Sequence, residues 1–182
     1  MTEKEKMLAG ELYNAADPTL VKDRARAKKL CQEFNTIDVT DYEGRLKILQ
    51  ELFQTNKSFT IDPTLWVDYG YNVTFGKNFY ANHNCIFLDV NTITIGDNVM
   101  FASNVQLYTA THPVAAKERI SGLELGYPIT IGDNTWLGGG SIVCPGVNIG
   151  KNVVIGAGSV VSKNIPDNVV AVGNPCKIIR NL

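Results

Sequence analysis

The chain has 182 residues, 45% of them hydrophobic, and a net charge of −1. That length suits one domain with room for a small appendage. The balanced charge excludes a global field for nucleic acid or an anionic membrane, and no apolar run is long enough to span a bilayer.

Residues 1–56 read as a helical segment, charged and poor in glycine. The opening MTEKEKMLAGEL has no apolar h-region, so a cytoplasmic, reducing setting is expected. Leu8 and Leu12 lie four apart, and Asp17-Pro18 interrupts the pattern. Ala27, Leu30, Cys31 and Phe34 then recur at helical spacing. Thr40 and Glu43 suit a capping box, in which side chain and backbone satisfy each other's orphan donors. Tyr42, Leu46, Leu49 and Phe53 follow as one apolar stripe.

Residues 57–182 change character, and short apolar runs begin near Phe59. Val73-Thr74-Phe75-Gly76 and Ile93-Thr94-Ile95-Gly96 match each other. Each leads into a Gly-x-Asn corner, where Gly and Asn tolerate positive φ. The interval from Phe75 to Ile95 is not a multiple of six, so an irregularity lies between them. From Ile131 the count in sixes is unbroken, through Leu137, Val143, Ile149, Ile155 and Val161. Such a period predicts a parallel β-helix whose stacked coils bury the aliphatic first positions. Four cysteines, Cys31, Cys85, Cys144 and Cys176, stand apart with no CxxC pair, which argues against a zinc knuckle or redox dithiol. Cys85 and Cys144 are expected to pack as small apolar residues. Residues 109–127 carry no hexads. A long loop inserted in a regular scaffold is a functional candidate, though also a tolerated insertion.

Only two histidines occur, His83 and His112. A hydroxyl is a poor nucleophile at neutral pH, and a neutral imidazole is a suitable base for it. His112 lies in the irregular loop beside Pro113, which stiffens the backbone there. His83 reads as a corner residue or pocket lining. Two histidines fall short of a three-histidine zinc site, so no metal is expected. Leu137-Gly138-Gly139-Gly140 removes three Cβ atoms in a row, which suits close approach of a ligand or a neighbouring chain, or an ordinary turn.

Taken in order, MLAGELY, NFYANHNCIFLD, YTATHP, PITIGDNTWLGGGSIVCPGVNIG and VVAVGNPCKIIR carry a resemblance over nearly the whole chain. It resembles the hexapeptide-repeat sugar O-acetyltransferases, the maltose and galactoside group, and is closer to the maltose branch. The resemblance implies a left-handed parallel β-helix with a small N-terminal helical segment, an inserted loop at 109–127 and a short C-terminal tail. It implies a homotrimer with its active site between subunits, acetyl-CoA as donor and a sugar hydroxyl as acceptor. It makes His112 the catalytic base. Asn82, Asp68, Tyr80, Asp89 and Glu124 fall on the acceptor side, with Asn82 orienting the hydroxyl or donating to the oxyanion. Trp136, Gly139, Ala157, Ser162, Lys163, Lys177 and Arg180 fall on the CoA side, where the basic residues suit phosphate. Lys177 and Arg180 are expected in a short final turn. The galactoside branch differs at Asp68, Ala15, Val90 and Glu124, which favours a maltose- or glucose-like acceptor. The same chemistry on another hydroxyl (galactoside, oligosaccharide or antibiotic) and a non-catalytic β-helix scaffold are the competing readings.

Overall fold

The computed structural model describes residues 1–182. Short parallel strands stack into three faces of a prism. The first face aligns Ile61, Ala81, Phe101, Leu137, Ile155 and Ala171. The second aligns Val67, Phe87, Leu107, Val143 and Val161. The third aligns Phe75, Ile95, Ile131 and Ile149, with Ile165 bridged to Ile149. All of these side chains point inward and are buried. Neighbours along each strand point outward, as strand geometry requires. Full burial of one such aliphatic side chain stabilises the fold by about 1.5–3 kcal/mol.

The corners are held as regularly as the core. At the edge between the third and first faces, Asn78, Asn98, Asn134, Asn152 and Asn168 all have positive φ, from 53 to 58°. Their side chains form a ladder. Nδ2 of Asn78, Asn98, Asn134 and Asn152 donates to Oδ1 of the next, at 2.9, 3.0, 3.0 and 2.8 Å. Asparagine is tolerated in the left-handed region and supplies both donor and acceptor. Gly76 is required for a different reason: a Cβ there would lie 2.3 Å from the Gly96 carbonyl carbon.

The hexad count slips at one edge only. Between aligned inward positions, the edge joining the first face to the second takes six residues in every coil, as from Ala81 to Phe87. The edge from the third face to the first does the same. The edge from the second face to the third does not. Val67 to Phe75 and Phe87 to Ile95 take eight residues, Leu107 to Ile131 takes twenty-four, and Val161 to Ile165 takes four. The irregularity expected between Phe75 and Ile95 is therefore at this edge, just after Phe87.

Helices α1 (Glu3–Ala9), α2 (Pro18–Thr36) and α3 (Tyr42–Phe53) cover the first coils. Asp17-Pro18 starts α2 rather than merely breaking a pattern. Asp17 Oδ1 accepts from the amides of Thr19 and Leu20, with Pro18 in the first turn. The cap of α3 is Asp41, whose Oδ1 accepts from Gly44, and not Thr40. Thr40 instead turns its hydroxyl onto Asp38. The buried face of α3 is Arg45, Leu49, Leu52 and Phe53, while Tyr42 is exposed. Arg45 pairs with Asp62 at 3.1 Å and donates to the Ile61 carbonyl, which sets the helix rotation. Leu8 and Leu12 are both exposed, because α1 ends at Gly10 and buries Met7. Phe53 meets Phe75 edge-on at 4.8 Å, so the helical segment and the coils share one core.

Residues 109–127 hold structure of their own. Ala110–Thr111 pairs antiparallel with Leu125–Gly126, and helix α4 (Ala116–Arg119) lies between them. Cys85 is buried, and Cys144 packs against the core while partly exposed. The tail is a strand, not a turn: Lys177–Asn181 runs antiparallel to Val169–Val172. A bulge opposite Val170 and Ala171 pairs Lys177 with Val172 and Arg180 with Val170. It leaves both cations on one side, which an unbroken strand would not do for residues three apart. No helix is long and apolar enough to cross a membrane.

Asn134→Ala loses both the tolerated conformation and two ladder bonds, and is expected to cost about 2 kcal/mol. Asn134→Gly restores the conformation alone and is expected to cost about 1 kcal/mol. Urea unfolding of both proteins measures the difference, and equal losses would refute the conformational part.

Candidate active site

The residues added at the irregular edge build a cleft. Residues 68–72, residues 89–92 and the 109–127 hairpin project there in successive coils. Asp89 is fully buried beneath them. Its Oδ1 accepts from the amides of Asp68 (3.0 Å) and Tyr69 (2.8 Å), and its Oδ2 from Asn72 (3.3 Å). It therefore fixes the bend that presents Asp68. Burial pushes the Asp89 carboxyl up to about 7, against the pull of the Tyr69 amide and with added repulsion from Asp68.

The helical segment closes the other side. Asn91 Nδ2 donates to the carbonyls of Met7 (3.2 Å), Leu8 (3.2 Å) and Gly126 (2.9 Å), tying α1 to the hairpin. Tyr13 and Glu124 exchange backbone hydrogen bonds at 3.1 and 3.0 Å. The Tyr13 hydroxyl donates to Glu124 Oε2 at 2.8 Å. From α2, Arg24 donates to the Tyr69 hydroxyl at 2.7 Å and to the Ala15 carbonyl at 2.6 Å.

The open cleft has a volume of about 280 Å³ and is lined by Tyr13, Arg24, Lys28, Asp68, His112 and Glu124, among others. His112 is exposed at its rim, immediately after the Ala110–Thr111 strand, and Pro113 beside it is buried. Burial raises the Asp68 carboxyl, Arg24 draws it back, and Glu124 pushes it up again. The cleft thus combines an accessible imidazole with two carboxylates that can accept from several hydroxyls.

Comparison with known proteins bears on this site. Residues 6–55 match the maltose acetyltransferase hexapeptide capping motif, and residues 128–163 match the bacterial transferase hexapeptide family model. A relative from Dictyostelium discoideum, named an acetyltransferase, is 54% identical over all of this chain and 95% of its own length. The chain belongs to the hexapeptide-repeat acetyltransferases of the maltose and galactoside type. A maltose O-acetyltransferase from Clostridium difficile 630 superposes with a TM-score of 0.98 at 56% identity, covering 100% of this chain and 98% of that one. A galactoside acetyltransferase in complex with coenzyme A does so with a TM-score of 0.90 at 41% identity, covering 100% and 91%.

In this acetyltransferase the expected site residues fall into separate groups. His112, Asp68 and Glu124 share the cleft, with Asp89 beneath it acting on Asp68 rather than facing the cavity. Tyr80 and Asn82 do not join them. The Tyr80 hydroxyl donates to Asp62 on the first face. Asn82 lies at the next corner, where its Oδ1 accepts from the His83 amide (2.7 Å) and the Ser103 hydroxyl (2.8 Å). His83 places its ring Nδ1 2.6 Å from the Pro63 carbonyl. Trp136, about half exposed, aligns with Met100 on the first face, and Gly139 and Ala157 stack in the corner row of His83 and Ser103, one position past Asn82. Ser162 and Lys163 are exposed just past Val161, and Lys177 and Arg180 lie on the terminal strand. The whole second face separates Asn82 from His112 within one chain. Tyr13, Arg24, Lys28, Tyr69 and Ala110 are the lining residues that sequence reasoning missed. Arg24 and Lys28 sit four apart on α2, one surface of that helix, but nothing local connects them to a loop far along the chain.

Because the folded-state value of Asp89 is raised, the folded chain keeps a proton that the unfolded chain releases above about pH 4. The stabilisation from this group is full below that point and is lost as pH rises through about 7. Between about pH 5 and pH 8 the melting temperature should fall more for wild type than for Asp89→Asn. The slope rather than the offset is the readout, and parallel curves would contradict the raised value.

Proposed function

We propose that this acetyltransferase moves the acetyl group of acetyl-CoA to a hydroxyl of a maltose- or glucose-like sugar, with His112 as general base. The observation that carries the reading is His112 at the rim of a cleft whose carboxylates, Asp68 and Glu124, suit sugar hydroxyls. A ring nitrogen of His112 takes the hydroxyl proton as the oxygen attacks the thioester carbonyl. The tetrahedral intermediate then expels CoA as thiolate, the C–S bond breaks, and the imidazolium returns the proton to sulfur. No covalent enzyme intermediate is needed, so the kinetics are those of a ternary complex.

Asn82 orients the hydroxyl or donates to the oxyanion, with Tyr80 on the same acceptor-facing edge. These residues come from a second subunit of a homotrimer. The separation of Asn82 from His112 by a full face of the prism supports that assignment. Acetyl-CoA runs between subunits, with Trp136, Gly139 and Ala157 along the acyl and pantetheine end. Ser162, Lys163, Lys177 and Arg180 lie toward its phosphates. The one-sided pairing of Lys177 and Arg180 supports a shared phosphate contact.

His112→Ala should lower kcat by about 10²- to 10⁴-fold on sugar acceptors while leaving the melting temperature unchanged. Near-wild-type turnover by that protein would eliminate His112 as base. Lys163→Glu should raise KM for acetyl-CoA more than KM for the sugar, as measured in steady-state assays varying each substrate. The reverse ranking would remove Lys163 from the donor side.

A further inference from the structure

A second hollow adjoins the His112 cleft, and nothing in the chemistry above uses it. It lies between α2 and the second face, with a volume of about 580 Å³, and is lined by Lys28, Lys29, Gln32, Trp66, Asp68 and Leu88 among others. Lys28 and Asp68 line both cavities, so the two form one groove with Asp68 at the junction. Trp66 occupies the outward position of the Leu65–Val67 strand and is 44% exposed. Ala25, Val67 and Leu88 line the hollow beside Trp66, so an apolar wall there faces the polar groups of Lys28, Lys29, Gln32 and Asp68.

The sizes of the two spaces differ in a useful way. The His112 cleft, at about 280 Å³, is at the small end of ligand sites, which run from about 300 to 1,000 Å³. It has room for one sugar ring. The adjoining hollow is twice that size and carries the mixture that a second ring requires. A pyranose has an apolar C–H face and a rim of hydroxyls. The face matches the negative π-surface of an indole, and the rim matches the donors of Lys28, Lys29 and the Gln32 amide. The charges do not suit an anion instead. Lys28 lies beside Asp68, and Lys29 is paired with Glu33 at 4.0 Å.

We propose that the Trp66 hollow is a subsite for the glycosyl unit next to the one acetylated, making this enzyme selective for di- and oligosaccharides over single sugars. The inference rests on the sugar-acceptor reading. It adds a specificity residue, Trp66, and a reason for chain-length preference.

The test measures kcat/KM for paired acceptors, glucose with maltose and galactose with lactose, in wild type, Trp66→Ala and Trp66→Phe. Wild type should favour the disaccharide of the accepted pair by roughly tenfold, expressed in KM. Trp66→Ala should erase that preference, with monosaccharide kcat/KM and the KM for acetyl-CoA held within about twofold. Trp66→Phe should retain most of the preference. Equal losses on both members of a pair would show that Trp66 only supports the wall, and would overturn the subsite. So would monosaccharide turnover without any disaccharide gain, which leaves the sugar reading standing. Absence of acetylation on all four sugars would overturn both readings.

Discussion

Register stacking is the constraint on which this molecule depends. Each coil is too thin to bury anything by itself, so its inward side chains must lie on those of the coils above and below. Val67, Phe87, Leu107, Val143 and Val161 make one such column, and each face has its own. A residue added within a strand would turn every following side chain in that coil to the wrong face. Extra chain can therefore be placed only at a corner, where it can loop away from the axis. The asparagine ladder and the close glycine contacts at Gly76 and its counterparts restrict one corner further, because neighbouring turns there touch backbone to backbone.

This restriction explains where the candidate active site lies. All departures from the six-residue count collect at one edge, and the cleft is made of that surplus. The scaffold on either side stays rigid, which suits a base and binding groups that must hold their geometry. The hairpin bearing His112 is not left to itself. Asn91 fastens it to α1, and Tyr13 joins it to the N-terminal segment by both backbone and hydroxyl. The helical segment therefore does two jobs. It seals the first coil through Phe53, and it supplies the inner wall of the cleft through Tyr13, Arg24 and Lys28.

The edge that carries His112 and the edge that carries Asn82 face different directions from one prism. A lone subunit thus presents two partial arrangements, one with an imidazole and carboxylates and the other with an amide, an indole and close-packed glycine. Complementary partial surfaces on different edges are what a heterologous, ring-closing contact joins. The proposed trimer would bring those two edges together.

Much of the fold was legible in the chain itself. The hexad period marks the β-helix, Gly-x-Asn marks its corners, and the break at 109–127 marks the insertion, because each is a local rule of backbone geometry. His112 stood out within that interruption, and the family resemblance made it the candidate base. The local signals failed where a neighbour decides the outcome. Thr40 gave way to Asp41 as a cap because Asp38 holds the Thr40 hydroxyl. Tyr42 lost its place on the buried face because the Arg45–Asp62 pair turns α3. Lys177 and Arg180 share a side through a bulge that only pairing with Val170 and Val172 creates. By itself, then, the sequence determined the repeat, the corner chemistry and the candidate base, all of which depend on residues a few positions apart. Only the tertiary structure decided that the irregularities share one edge, that Tyr13 and Arg24 line the cleft with His112, and that Asn82 does not. Those are contacts between distant parts of the chain, and coil stacking together with the docking of the helical segment brings them together or keeps them apart.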